Sequence, residues 1–127
     1  MNIVVEWGNE SKTILLMDFV QPWTSQDLIA AMEQAMTMMD SIDHEASTIV
    51  DMSRKLPMPP DLLTHFPKVA QYRHPRTKTN VIVAEGSSFA KTLTNVFSQL
   101  YVKLRVADTR EEAYTLLGEQ MPPAGGA

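Results

Sequence analysis

The sequence predicts an α/β fold: an N-terminal hairpin followed by four β-α units, with a mainly parallel sheet flanked by helices. Three observations carry this expectation. Apolar runs of strand length alternate with segments whose apolar residues recur at helical spacing. The first two runs are joined by Gly8-Asn9-Glu10-Ser11, a tetrapeptide rich in turn formers. Two Thr-x-x-acid signatures, Thr24 with Asp27 and Thr109 with Glu112, each open a helical segment in the manner of a capping box.

Each element has its own local reason. Asn2 to Trp7 and Lys12 to Phe19 read as the two strands of the hairpin, and the continuous apolar run Thr13-Ile14-Leu15-Leu16-Met17 predicts a strand covered on both faces. Pro22 delays the first helix until Thr24, and Trp23 is placed to staple onto Leu28. Leu28, Ala31, Met32, Ala35, Met39 and Ile42 then form the inner stripe of a helix of about four to five turns. Ser47 to Met52 reads as a short apolar strand, and Pro57, Pro59 and Pro60 precede a second helix beginning near Asp61. Pro67 predicts that this helix is short or kinked. Arg73 to Lys78 reads as a basic loop, Asn80 to Ala84 as a buried strand, and Gly86-Ser87-Ser88 as the turn and cap of a third helix lined by Phe89, Leu93, Val96, Phe97 and Leu100. Lys103 to Ala107 alternates as an edge strand does, and the fourth helix, capped by Thr109, ends at Gly118. A single domain over residues 1–118 follows, with 119–127, rich in Pro and Gly, expected as a disordered tail.

This order of elements resembles the STAS domains and their relatives of the anti-sigma-factor-antagonist fold, including the branch described as STAS/Sec14. The likeness covers Ile3 to Leu117 and rests on Asp18-Phe19-Val20-Gln21-Pro22-Trp23-Thr24 before the first helix, Ile49-Val50-Asp51-Met52-Ser53 at a strand end, and Arg73-His74-Pro75. In the phospho-switching members of that family a second, phosphorylatable hydroxyl follows the Asp-hydrophobic-Ser strand end at the start of the next helix. Here the corresponding stretch, Arg54 to Asp61, contains no serine or threonine. Asp61 stands where the phosphate would act, and its fixed charge imitates one in part.

The 127 residues carry 44% hydrophobic and 20% charged side chains, values of a globular chain with a packed core. A net charge of -4 argues against a nucleic-acid binder working by bulk charge. No apolar run reaches the roughly 20 residues of a membrane span, and the start has neither the basic flank nor the cleavage site of a secretory signal. The absence of cysteine excludes disulfides, thiolate metal sites and thiol nucleophiles and suits a cytoplasmic location.

Asp18, Asp51, Glu85 and Asp108 fall near the carboxyl ends of successive strands. Helix capping explains such carboxylates better than catalysis, because no histidine or nucleophile joins them at a known spacing. Asp40, Asp43, His44 and Glu45 match no established metal loop. No catalytic residue, metal or cofactor is therefore expected. Arg73, His74, Arg76 and Lys78 form a basic cluster, of which Arg73 and Arg76 are candidates for contact with an acidic partner. Phe19, Trp23, Met58 and Phe66 are expected to gather at one end of the sheet and to line a pocket if one exists. On the first helix, Met36 and Met38 widen the apolar surface beyond what one sheet face requires, pointing to a protein partner or homodimer.

The expectation is a non-catalytic cytosolic regulatory or protein-interaction module of STAS type, with Asp61 among its partner-contact candidates. The alternative is a carrier or sensor of a small apolar or lipid-like ligand.

Overall fold

The computed structural model describes residues 2–54, 56–69, 71–84 and 104–122. The expected third helix, with Glu85, Gly86, Ser87 and Ser88 before it, lies outside the described residues.

Five strands, β1 (Ile3–Trp7), β2 (Ile14–Phe19), β3 (Ala46–Asp51), β4 (Thr77–Val83) and β5 (Leu104–Ala107), form one sheet in sequential order. β1 pairs antiparallel with β2, and every later pairing is parallel. Among the described residues the helices are α1 (Ser25–Asp40), α2 (Leu62–Val69) and α3 (Arg110–Leu116). This is the predicted α/β class.

The alternation of side chains along the strands sorts the core into two layers. Leu15, Met17 and Phe19 of β2 share a layer with Ile3, Val5 and Ala46 and meet Leu28, Ile29, Ala35 and Met39 of α1 and Leu62 and Val69 of α2. Ile14, Leu16, Ile49, Val81 and Val83 point to the opposite face, where Ala113 and Tyr114 of α3 cover them. The continuous apolar run of β2 thus has the predicted cause, burial on both faces. Each large side chain removed from water in these layers contributes roughly 1.5–3 kcal/mol before ordering costs.

Local signals set the helix ends. Thr24 Oγ1 accepts from the Asp27 N–H (3.1 Å) while the Asp27 carboxylate accepts from the Thr24 N–H (2.9 Å), a complete capping box. The Asn2 amide also donates to Asp27, and with the Thr24 N–H it holds that carboxyl below its ordinary range. At α3 the box is offset. Thr109 Oγ1 accepts from the Glu112 N–H (3.1 Å), but the Glu112 carboxylate accepts from Asp108 instead (3.3 Å). Gly118 takes a positive φ of 69°, and the amides of Gly118 and Glu119 donate to the carbonyls of Thr115 and Tyr114, a Schellman close.

α2 is short, as Pro67 implies, spanning eight residues and ending two residues after the ring. Three boundaries differ from expectation. β4 begins at Thr77, inside the segment read as a basic loop, since Ala46 supplies it with a parallel partner despite its polar side chains. The tail is also held at its root, with the Thr13 hydroxyl donating to the Glu119 carboxylate (2.5 Å). The hairpin turn places its left-handed residue at Lys12 (φ 56°), after the predicted tetrapeptide, while Asn9 Oδ1 accepts from the amides of Thr13 and Ile14.

Candidate ligand cavity

A cavity of about 320 Å³ lies between the sheet and the helices α1 and α2. Its floor is laid by Leu15, Met17 and Phe19 of β2, Thr48 and Val50 of β3, and Asn80 and Ile82 of β4. Leu28, Met32, Ala35, Met36 and Met39 of α1 roof it, with Leu62 and Val69 of α2 closing one side. Phe19 and Trp23 meet edge to face, their ring centroids 4.9 Å apart, and form an aromatic wall.

The lining is graded along the strands. Near the carboxyl ends of β2, β3 and β4 it is apolar, with Phe19, Met52 and Ile82. Near the amino ends of β3 and β4 it turns polar, with Glu45, Thr48, Thr77, Lys78 and Asn80 joined by Arg73 and His74. A one-residue register shift between Ala46 and Thr48 lets β4 present Thr77, Lys78 and Asn80 to the same cavity. Thr48 and Asn80 are direct register partners. His74 Nε2 is 2.7 Å from Asp40 Oδ1, which fixes the imidazole against the end of α1. The Tyr72 hydroxyl donates to Glu33 (3.0 Å), and burial together with that carboxylate raises the phenol above its usual range.

On the opposite face the sheet carries a charge cluster. Asp18 and Asp51 are register partners at the carboxyl ends of β2 and β3. Arg110, in the first turn of α3, lies 3.0 Å from Asp18 and donates through Nε to Asp51 (2.8 Å), while Arg54 reaches Asp18 at 2.6 Å. The Ser53 amide and hydroxyl both donate to Asp51 Oδ1 (3.0 and 2.6 Å). Burial pushes the Asp51 carboxyl up, but the Ser53 and Arg110 hydrogen bonds outweigh it and hold the group below its usual range. A cation in the first turn opposes the helix dipole, so Arg110 stands there because two carboxylates require it. Asp18 and Asp51 are thus ion-pair anchors and not the helix caps expected of them.

Comparison with family models, with curated proteins and with solved structures gives no match. No described helix is long and apolar enough to cross a membrane. Among the described residues no cluster of His, Cys, Asp and Glu has the geometry of a metal site.

The sequence-derived candidates separate into two groups. Phe19, Trp23, Met36 and Arg73 line the cavity. Met58 packs against the same core layer without lining it, and Phe66 belongs to α2, its side chain lying outside the described residues. Asp61 and Arg76 hold the scaffold. The Ser25 hydroxyl, almost wholly buried, donates to Asp61 (2.7 Å) and is the leading reason its carboxyl titrates low, with His65 3.2 Å away. Arg76 reaches the Met39 carbonyl at the end of α1 (3.5 Å). Met36 and Met38 are both half-buried, Met36 over the cavity and Met38 against the core, and Ile29 is fully buried. The apolar surplus expected at the margin of α1 is therefore not left in water. Among the described residues the large exposed hydrophobics are Val106 and Met121, both away from that helix. Ser53 is exposed, and its hydroxyl donates to Asp51. Sequence reading passed over Thr48 and Asn80 because polar residues at strand starts carry no periodic signal, and it placed Lys78 in a basic loop where the structure has β4.

Proposed function

We propose that the chain is a non-catalytic binding module, similar to STAS domains in its order of elements, whose cavity beneath α1 and α2 holds a small, mainly apolar ligand. The cavity itself carries the reading. At about 320 Å³ it is of ligand-site size, and Met17, Met32, Met36, Met39 and Met52 give it side chains that reshape around a guest at little cost. The non-catalytic part is supported by where the charges go: the Asp18, Asp51 and Arg110 cluster lies on the other face and ties α3 to the sheet. In such a cytoplasmic module, occupancy of the cavity is the regulatory variable, read by whatever protein contacts α1 and α2.

Titration of the full chain with N-phenyl-1-naphthylamine, a neutral apolar fluorophore, tests this. Saturable enhancement is expected, and Val50→Phe, which adds a ring to the cavity floor, should abolish it while the circular dichroism spectrum is retained. Absence of saturable binding, or equal binding by Val50→Phe, would overturn the reading.

A further inference from the structure

The mouth of the cavity is marked by exposure. Among the residues that line it, Glu45, Arg73 and Lys78 are exposed and stand at the end where β3 and β4 begin, whereas Phe19, Trp23 and Leu28 at the other end are buried. Over the exposed end runs a strap, residues 71–76, that belongs to neither α2 nor β4 and lends Tyr72, Arg73 and His74 to the lining. Backbone hydrogen bonds anchor it at both ends. The amides of Gln71 and Tyr72 donate to the carbonyls of Lys68 and Val69 (both 3.1 Å), and the Arg76 carbonyl accepts from Ala46 (3.0 Å).

Between these anchors, side chains tie the strap to α1. Glu33, Met36 and Asp40 are spaced three and four residues apart and so share one stripe of the helix. The Tyr72 hydroxyl donates to Glu33 (3.0 Å) and His74 meets Asp40 (2.7 Å), one contact on each side of Met36, which lines the cavity. The imidazole is committed at both nitrogens. Its Nδ1 accepts from the Arg76 amide (3.2 Å), which leaves the ring proton on Nε2 for donation to Asp40. The His74 side chain is 7% exposed, but that of Asp40 is 71% exposed and Glu33 also faces solvent, so releasing the strap from α1 costs little beside unfolding the elements it connects.

Resting on the cavity as the ligand site, we infer that the strap is the gate of that site and the His74–Asp40 contact its latch. Exchange of the guest proceeds by release of residues 71–76 from the edge of α1, with the backbone anchors as hinges and the sheet left in place. The latch is made alike with the cavity full or empty, so it sets the rates of entry and exit and not the affinity.

Stopped-flow mixing of the full chain with N-phenyl-1-naphthylamine, and dilution of the complex, give the two rates. Asp40→Ala should raise both by about three- to tenfold, the worth of one partly exposed hydrogen bond, and leave the dissociation constant unchanged within about twofold. The chain contains no cysteine, so in Asp40→Cys/His74→Cys a bis-maleimide bridges that pair alone. The bridged protein should exchange the probe more slowly than the same variant capped with N-ethylmaleimide. Rates in Asp40→Ala equal to those of the native chain, a change confined to dissociation, or a bridged variant that exchanges as fast as the capped one overturns the inference and leaves the cavity reading standing. Failure of the native chain to bind the probe at all would overturn both.

Discussion

Replacing Arg110 by Met removes the guanidinium that joins α3 to β2 and β3 and keeps most of the aliphatic stem. Asp18 and Asp51 are register partners on neighbouring strands, which are spaced about 4.8 Å apart. At that separation and an effective dielectric constant near 20, two bare carboxylates repel by about 3 kcal/mol. Arg54 still holds Asp18, and the Arg110 side chain is 29% exposed, so the loss falls below the full cost of breaking a buried pair. A destabilisation of about 2–3 kcal/mol is expected. Urea denaturation followed by circular dichroism measures it. Its pH dependence separates charge from packing. In the native protein the Asp51 carboxyl is depressed, so its contribution is present above the ordinary carboxylate range and is lost as pH falls through the lowered value. Without Arg110 only the two Ser53 hydrogen bonds oppose burial, so the same carboxyl is held less low and acidification costs the variant less than the native protein. The stability gap should therefore narrow as pH is lowered into and below the ordinary carboxylate range of about 4. The double variant Asp51→Asn/Arg110→Met should regain at least about 1 kcal/mol of the loss. A gap that stays constant with pH, or a loss under about 1 kcal/mol, would refute the reasoning.

Gly8→Ala places a methyl 2.6 Å from the Tyr114 hydroxyl and 2.9 Å from Ile14 Cγ2, where Tyr114 also donates to the Gly8 carbonyl (2.7 Å). A loss of roughly 1–3 kcal/mol in chemical denaturation is expected. Lys12→Gly relieves a left-handed backbone at φ 56° and should raise stability by up to about 1 kcal/mol, read as a higher denaturation midpoint with unchanged slope. Thr24→Ala and Thr109→Ala each remove an acceptor from a helix start and should each cost about 1 kcal/mol while leaving fluorophore binding intact.

The parts of this fold legible in the sequence are those set by neighbours in the chain. The apolar run Ile14 to Met17, the Thr24–Asp27 box and the Gly118 terminus each appear where local chemistry places them. The hidden parts depend on register. Asp51 and Arg110 are 59 residues apart and meet only because β3 lies beside β2 and α3 folds back over both. The pairing Asp18 with Asp51 was the available signal, since two carboxylates side by side demand a cation. That Lys78 and Asn80 face one cavity depends on a one-residue register shift that no apolar alternation marks. The aromatic wall of Phe19 and Trp23 was foreseen, but the space beside it depends on how far α1 and α2 stand from Thr48, Val50 and Asn80.

Methyl-labelled methionine provides the most direct probe of the cavity, because Met17, Met32, Met36, Met39 and Met52 line it whereas Met38, Met58 and Met121 do not. In a titration of the full chain with decan-1-ol followed by carbon–proton correlation spectra, the five lining methyls should shift together and saturate while those of Met38, Met58 and Met121 stay in place. Shifts spread evenly over both sets, or confined to Met38, Met58 and Met121, would contradict a ligand site beneath α1 and α2.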